Sequence, residues 1–278
     1  MPRPLWKGAI SFGMVSIPVK LYTATEEKDV RFNMLHRDDL SRVKQKLFCA
    51  EEDVEIDRST EIVKGYEITP GNYVVMDDED FEKVPVNTTH TVEITDFVSL
   101  EEIDPILYQK TYYLEPEEIG MKPFALLMRA LEETGRVAIA KVTLRQKEQL
   151  CSLRIYENTI ALETMFYADE VRKTSDLSVP DKKVEISDRE LKMATSIVDM
   201  LTGDFDYESY KDEYREALLE IIEKKAEGQT IEAPEPKVAK IMDLTEALRA
   251  SVEEIRKRKS GNAEEAPARS RSRAKKSA

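Results

Sequence analysis

KVTLRQKEQLCSLRIY, residues 141–156, is the stretch whose reading decides the fold class. Lys141, Thr143, Arg145 and Lys147 alternate with Val142, Leu144 and Gln146. After a short polar turn near Lys147 to Gln149, Ser152, Arg154 and Tyr156 alternate with Leu153 and Ile155. A period of two marks a half-buried strand. The stretch therefore predicts a hairpin with Val142, Leu144, Leu153 and Ile155 on one face. The other face would carry Lys141, Thr143, Arg145, Lys147, Ser152, Arg154 and Tyr156, four cations and no acid. Such a ribbon is either an ordinary solvated sheet face or a surface for phosphates.

The same period recurs on both sides. In VSIPVKLYT, Val15, Ile17, Val19 and Leu21 alternate with Ser16, Pro18, Lys20 and Tyr22. Pro18 has no N–H for a ladder, which suggests an edge strand or an irregularity. EIVKGYEITPGNYVVMD reads as two strand pieces around a Pro70-Gly71 turn, and DDEDFEKVP as a short capped helix. TVEITDFVSL, QKTYYLEP, RVAIAKVTLRQ, CSLRIYE and TIALETMFYA complete a set rich in Thr, Tyr, Val and Ile. One clear helix interrupts them: KPFALLMRALEETG, with Phe124, Leu127, Met128 and Leu131 as its stripe and Gly135 to end it. Many short strands with turn signals at short spacing predict a β-barrel over about 5–170.

After 185 the period lengthens. Ser187 and Glu190 form a capping box ahead of a helix with Leu191, Ala194, Val198 and Leu201 on one side, closed by Gly203. YESYKDEYREALLEIIEKKAEG repeats the pattern with Tyr210, Tyr214, Leu218, Ile221 and Ile222. A Pro- and Glu-bearing linker follows, then a third helix carrying Leu244, Leu248, Val252 and Ile255 on one face. The final SGNAEEAPARSRSRAKKSA has no large apolar residue and is expected to be disordered.

Of the 278 residues, 35% are charged, and the net charge is -13. The charge is unevenly spread. Residues 256–278 hold nine basic and two acidic side chains; the remainder holds 33 basic and 53 acidic. Two cysteines, Cys49 and Cys151, with no CxxC pair, fit a reducing compartment. No stretch approaches the roughly 20 apolar residues of a membrane span, and the N-terminus lacks the form of a signal peptide. A cytoplasmic, nucleoid-associated protein is expected, with no membrane contact. At physiological salt exposed charges more than about 8 Å apart are largely screened. A local basic surface can therefore hold a polyanion on an acidic body.

No P-loop, dinucleotide fingerprint, GxSxG elbow or HExxH motif is present. His36 and Cys49 lie close in sequence, yet a structural zinc site wants four Cys or His ligands. A surface histidine and a buried thiol are the plainer reading. Asp77 to Asp80 could hold a divalent ion, but acids at a helix start also cap it. No enzyme activity, metal or cofactor is expected.

Six blocks of the sequence closely resemble the bacterial Ku family, whose members bind DNA ends in non-homologous end joining. They are WKGAISFGMVSIPVKLYTATEEKDV, EIVKGYE, ITDFV, EIDPILYQKTYYLEP, LRIYENTIALETMFYADEVR and LTGDFDYESYKDEYREALLEIIEKKAEG. They run in order over about 1–228. VAKIMDLTEALRASVEEIRKRK, 238–259, resembles the family's ligase-recruiting segment. The resemblance implies a mainly β barrel core with inserted helices, an arch hairpin and a C-terminal helical arm, in a ring-forming homodimer. The ring would thread onto double-stranded DNA ends without reading bases and recruit the end-joining ligase, ligase D. Many family members carry extra cysteines beyond the position of His36; Ala50, Glu51 and Glu52 follow Cys49 here, which argues against a zinc site.

The implied layout is a core over 1–185 with the arch at about 130–160, a dimerisation arm over 186–228, a linker over 229–237, the ligase-recruiting helix over 238–259 and a basic tail over 260–278. Lys141, Arg145, Lys147 and Arg154 are the expected phosphate contacts, with Lys20 and Lys7 as lesser ones. Leu244, Leu248, Val252 and Ile255 are the expected ligase-binding stripe, in the helix-in-groove mode; the alternative is that this helix folds back on the barrel. A second function class, an acidic dimeric interaction scaffold without DNA binding, also fits the charge balance.

Overall fold

Alternation along the strands sorts side chains into an inner and an outer row, and seven strands close so that the inner rows meet. The structure, a computed structural model, describes residues 3–84, 90–145, 147–179, 184–229 and 244–264. Strands β1 (Trp6–Phe12) and β2 (Val15–Thr23) form a hairpin whose turn uses Gly13 at φ 60. A long excursion follows. It holds the two-residue strands β3 (Leu47–Phe48) and β4 (Glu55–Ile56), the hairpin β5 (Lys64–Thr69) and β6 (Asn72–Met76), and helix α1 (Asp78–Glu82), capped by Asp77. The chain returns as β7 (Thr91–Ser99), β8 (Tyr108–Pro116), helix α2 (Met121–Thr134), β9 (Arg136–Leu144), β10 (Lys147–Tyr156) and β11 (Thr159–Met165).

The barrel order is β1-β2-β8-β11-β10-β9-β7. It closes through one parallel pairing, β1 on β7, with Ile10 opposite Val92. A parallel return needs a long connection, and the 24–90 excursion supplies it. Gly8 sits beside this seam: a side chain there would collide with the Trp6 ring and the His90 carbonyl. Pro18 is not on an edge. Its strand pairs on both sides, and the β8 ladder begins at Val19, so the missing N–H falls at the end of the overlap.

Ile10, Ile17, Val19, Leu21, Val142, Leu153, Ile160 and Leu162 fill the interior, and α2 adds Phe124, Leu127 and Leu131. Their i, i+3, i+7 spacing gives α2 one inward stripe, and Gly135 ends the helix at φ 62. A smaller cluster, Ile103, Val137 and Met165, lies apart from that core.

The hairpin expected to form the arch within the core is part of the barrel wall: β9 pairs with β7 and β10, and β10 pairs with β9 and β11. The segment that leaves the barrel is the 24–90 excursion. All of β5 and most of β6 are exposed, and Phe32, Met34, Phe48, Tyr66 and Val75 also face outward.

The chain divides into two compact units at Thr174/Ser175 rather than near 185. The second holds α3 (Asp188–Leu201), α4 (Glu213–Ala226) and α5 (Leu244–Glu264). Ser187 caps α3 in the expected box with Glu190. Thr202, not Gly203, follows its last residue. Helix α4 begins later than the apolar pattern suggests, because Asp206 and Asp212 bond the backbone N–H groups of Glu208 and Arg215 and organise a short turn and a new N-cap. The α3 stripe is not buried as a row: Leu191, Val198 and Leu201 are exposed. Helix α5 runs through 260–264, which were expected to be disordered. Residues 230–237 of the expected linker, 238–243 of the expected ligase helix and 265–278 of the tail lie outside the described residues. Among the described residues no helix is long and apolar enough to cross a membrane.

Leu127→Ala removes a side chain that is 1% exposed and should lower the unfolding free energy by about 2–5 kcal/mol, read as a shift in the urea midpoint with an unchanged slope.

Candidate nucleic-acid interface

The parity of the opening stretch differs from its sequence reading. Cys151 and Leu153 both point into the barrel, so every odd-numbered position of β10 takes the inner row. The turn begins at Arg145, with Leu144 opposite Lys147, rather than near Lys147 to Gln149. A one-residue difference in register moves a whole strand's side chains to the other face. Lys147 therefore leaves the face that holds Lys141 and Arg154. Glu148 enters that face, opposite Thr143. The outer ribbon is not free of acid.

Four of the six expected phosphate ligands are paired with carboxylates. Arg154 grips Glu163 through Nε at 3.0 Å and Nη2 at 2.7 Å. That fork is bidentate, and Glu163 is only 7% exposed. The carboxylate raises the guanidinium pKa further. Lys147 reaches Glu170 at 2.7 Å, which raises the ammonium pKa and lowers that of the carboxyl. Lys141 lies 3.3 Å from Glu148, with Glu93 opposite it on β7. Lys20 lies 3.9 Å from Glu115.

Arg145 and Lys7 differ. Arg145 stands at the hairpin tip with φ 53 and is exposed; Lys7 is exposed and faces Lys20 across the β1–β2 ladder. Among the described residues neither makes an ion pair. Nor do the six cations form one strip. In strand order, β1–β2 and β9–β10 are separated by β7 on one side and by β8–β11 on the other.

Helix α5 packs against α3 within the second unit. Leu248, Val252 and Ile255 are half-buried, as are Met193, Ile197 and Met200 of α3, while Leu244 is exposed. The expected ligase stripe is thus partly covered by the chain's own helix.

His36 Nδ1 is 2.9 Å from Asp39, and no group of three or more His, Cys, Asp or Glu suited to a metal occurs among the described residues. Cys49 is less buried than the plainer reading expected. Cys49 is half-buried, with backbone N–H groups of Glu52 and Glu51 lowering its pKa; Cys151 is the buried one, and burial pushes its pKa far up.

Residues 11–193 match the family model described as Ku70/Ku80 beta-barrel domain. The chain belongs to the Ku family. It is 49% identical over 253 residues to a protein named non-homologous end joining protein Ku from Symbiobacterium thermophilum. It is 47% identical over 272 residues to one of the same name from Anaeromyxobacter, and 44% over 256 to one from Heliobacterium modesticaldum. These alignments cover 90%, 97% and 91% of this chain. The chain spans 62% of the first relative's length, 90% of the second and 92% of the third.

What went unread in the sequence is that the 24–90 segment leaves the barrel with its apolar residues exposed. The signal was there: apolar residues in 32–75 separated by charges and turn residues, too sparse for a core of their own.

Two measurements follow from this geometry. Glu163→Ala leaves a part-buried guanidinium without its acceptor and should cost about 1–3 kcal/mol in urea unfolding. Reactivity follows the thiolate, so Cys49 should react with a disulfide reagent at pH 8 in the folded chain and Cys151 only after denaturant is added.

Proposed function

We propose that this chain is a non-catalytic clamp that binds double-stranded DNA ends irrespective of sequence and acts in non-homologous end joining as a homodimer. The observation that carries the reading is the 47% identity over 97% of the chain to a relative of that name. The exposed apolar residues support the second copy. On the excursion these include Phe32, Phe48 and Tyr66; on the helical unit, Leu191, Val198, Phe205 and Tyr214. Exposed apolar area on this scale marks an interaction surface.

The enclosing element in this proposal is the 24–90 excursion, with Arg145 and Lys7 as the phosphate contacts best placed by their freedom from carboxylates. Lys141, Lys147, Arg154 and Lys20 contribute only by exchanging a carboxylate for a phosphate. Helix α5 recruits the end-joining ligase, ligase D, through the edge that α3 leaves uncovered, including Leu244. The protein works in the cytoplasm at the nucleoid.

The acidic-scaffold reading keeps one observation in its favour, the pairing of four of the six expected cations. A gel shift on blunt linear duplex separates the two readings, since a scaffold would leave the duplex unshifted.

Closed circular duplex should bind far more weakly than linear duplex at the same salt; equal affinity would rule out threading. Arg145→Glu in both copies should lower the slope of log affinity against log salt by about 2 without moving the urea midpoint. Val198→Asp should shift the chain from dimer to monomer in sedimentation, and with it abolish end binding.

A further inference from the structure

The outer wall of the barrel carries an aromatic cleft that the end-binding reading does not use. Tyr22 on β2 stands opposite Tyr113 on β8, and Tyr113 stands opposite Ala161 on β11. Ala161 in turn stands opposite Arg154 on β10. All four positions belong to the outer row. Ala161 is nonetheless fully buried. Tyr113 and Tyr156 stack across it, with ring centroids 5.7 Å apart and planes 20° from parallel. The cleft is about 370 Å³ and is also lined by Glu115 and Glu157.

The chemistry of this lining selects its occupant. Tyrosine faces attract cations, most strongly where carboxylates lie close by. The cleft already demonstrates the contact, because the Arg154 guanidinium lies 5.4 Å from the Tyr156 centroid. Arg154 is itself committed to Glu163, so its charge does not cancel the rim. Glu115 accepts from the Tyr22 hydroxyl at 2.6 Å and lies 3.9 Å from Lys20. Glu157 sits at the β10–β11 turn with φ 49, exposed, and makes no ion pair among the described residues. Glu157, with no ion-pair partner among the described residues, and Glu115 beside it disfavour phosphate, so an unpaired nucleotide stacking on the rings is disfavoured even though the rings alone would suit one.

We propose that the Tyr22–Tyr113–Tyr156 cleft is a docking site for an arginine-bearing peptide segment of a partner protein, with a guanidinium held against the tyrosine rings and Glu157. A guanidinium fits better than an ammonium because it is planar and stacks. The site lies on the barrel wall, outside the excursion and the helical unit. It is a second contact surface, adjoining two of the clamp's candidate cations: Lys20, which reaches Glu115, and Arg154, which lies over Tyr156.

Fluorescence anisotropy on the full chain tests this with a labelled Gly-Arg-Ser-Arg-Ser-Arg peptide and its Gln-for-Arg twin at low salt. The arginine peptide should bind about tenfold more tightly than the twin. Tyr156→Ala should abolish the difference and Tyr156→Phe, which keeps the ring face, should restore it. Glu157→Asn, which suits the left-handed turn and keeps the fold, should weaken arginine-peptide binding about five- to tenfold. Equal binding of the two peptides overturns the proposal, as does indifference to both Glu157→Asn and Tyr156→Ala. So does tighter binding of a labelled oligothymidylate that Tyr156→Ala removes, which would make the cleft a nucleotide site. If deleting residues 265–278 raises peptide affinity, the occupant is the chain's own basic tail, and the assignment to a separate partner falls.

Discussion

The inward alternation of seven strands is the constraint on which the rest depends. Once Ile10, Val19, Leu21, Leu153, Ile160 and Leu162 meet inside the barrel, every neighbouring residue is assigned to the outer wall without further choice. Arg154, Glu163, Tyr113 and Ala161 are outside because their neighbours are inside. The barrel therefore sets the surface chemistry as well as the stability. A shift by one position on β10 would bury Arg154 and expose Leu153, and that cost pins the register.

Electrostatics then follows from position rather than from composition. A chain with a net charge of -13 has more carboxylates than cations to meet them, and on a small wall most cations find one. Arg154 and Glu163 pair on adjoining strands; Lys141 stands between Glu93 and Glu148. Arg145 escapes at a hairpin tip, where the chain has no lateral neighbours. Turn tips are where an acidic barrel can offer positive charge to a polyanion.

Much of the fold was legible. The strand periods at 15–23, 91–99 and 141–156 and the α2 stripe ended by Gly135 all reflect local rules acting on consecutive residues. The Ser187–Glu190 box does too. The candidate site was less so. Alternation is visible in sequence, but the turn that sets its phase was not: Arg145 takes a left-handed conformation that favours Gly or Asn, so no turn signal marked it. The carboxylate partners lie on other strands or loops, as Glu163 does for Arg154 and Glu170 for Lys147, and pairings at that separation leave no pattern in the linear chain. Pro18 misled for a related reason. Its missing N–H rules out one ladder bond, and where that bond would fall depends on where β8 begins.

Among the described residues, the excursion and the helical unit share a property that the barrel lacks: neither contributes to a buried hydrophobic cluster. Strands β5 and β6 put Tyr66, Ile68, Tyr73 and Val75 into solvent, and a two-stranded hairpin is at best marginally stable alone. Helix α3 gives one side to α5 and leaves Leu191, Val198 and Leu201 open. A segment ordered without a core must gain its burial elsewhere or lose its shape to conformational entropy. The barrel is complete within one chain. The regions that leave it keep much of their apolar surface open among the described residues, and that open surface is what an interaction would cover.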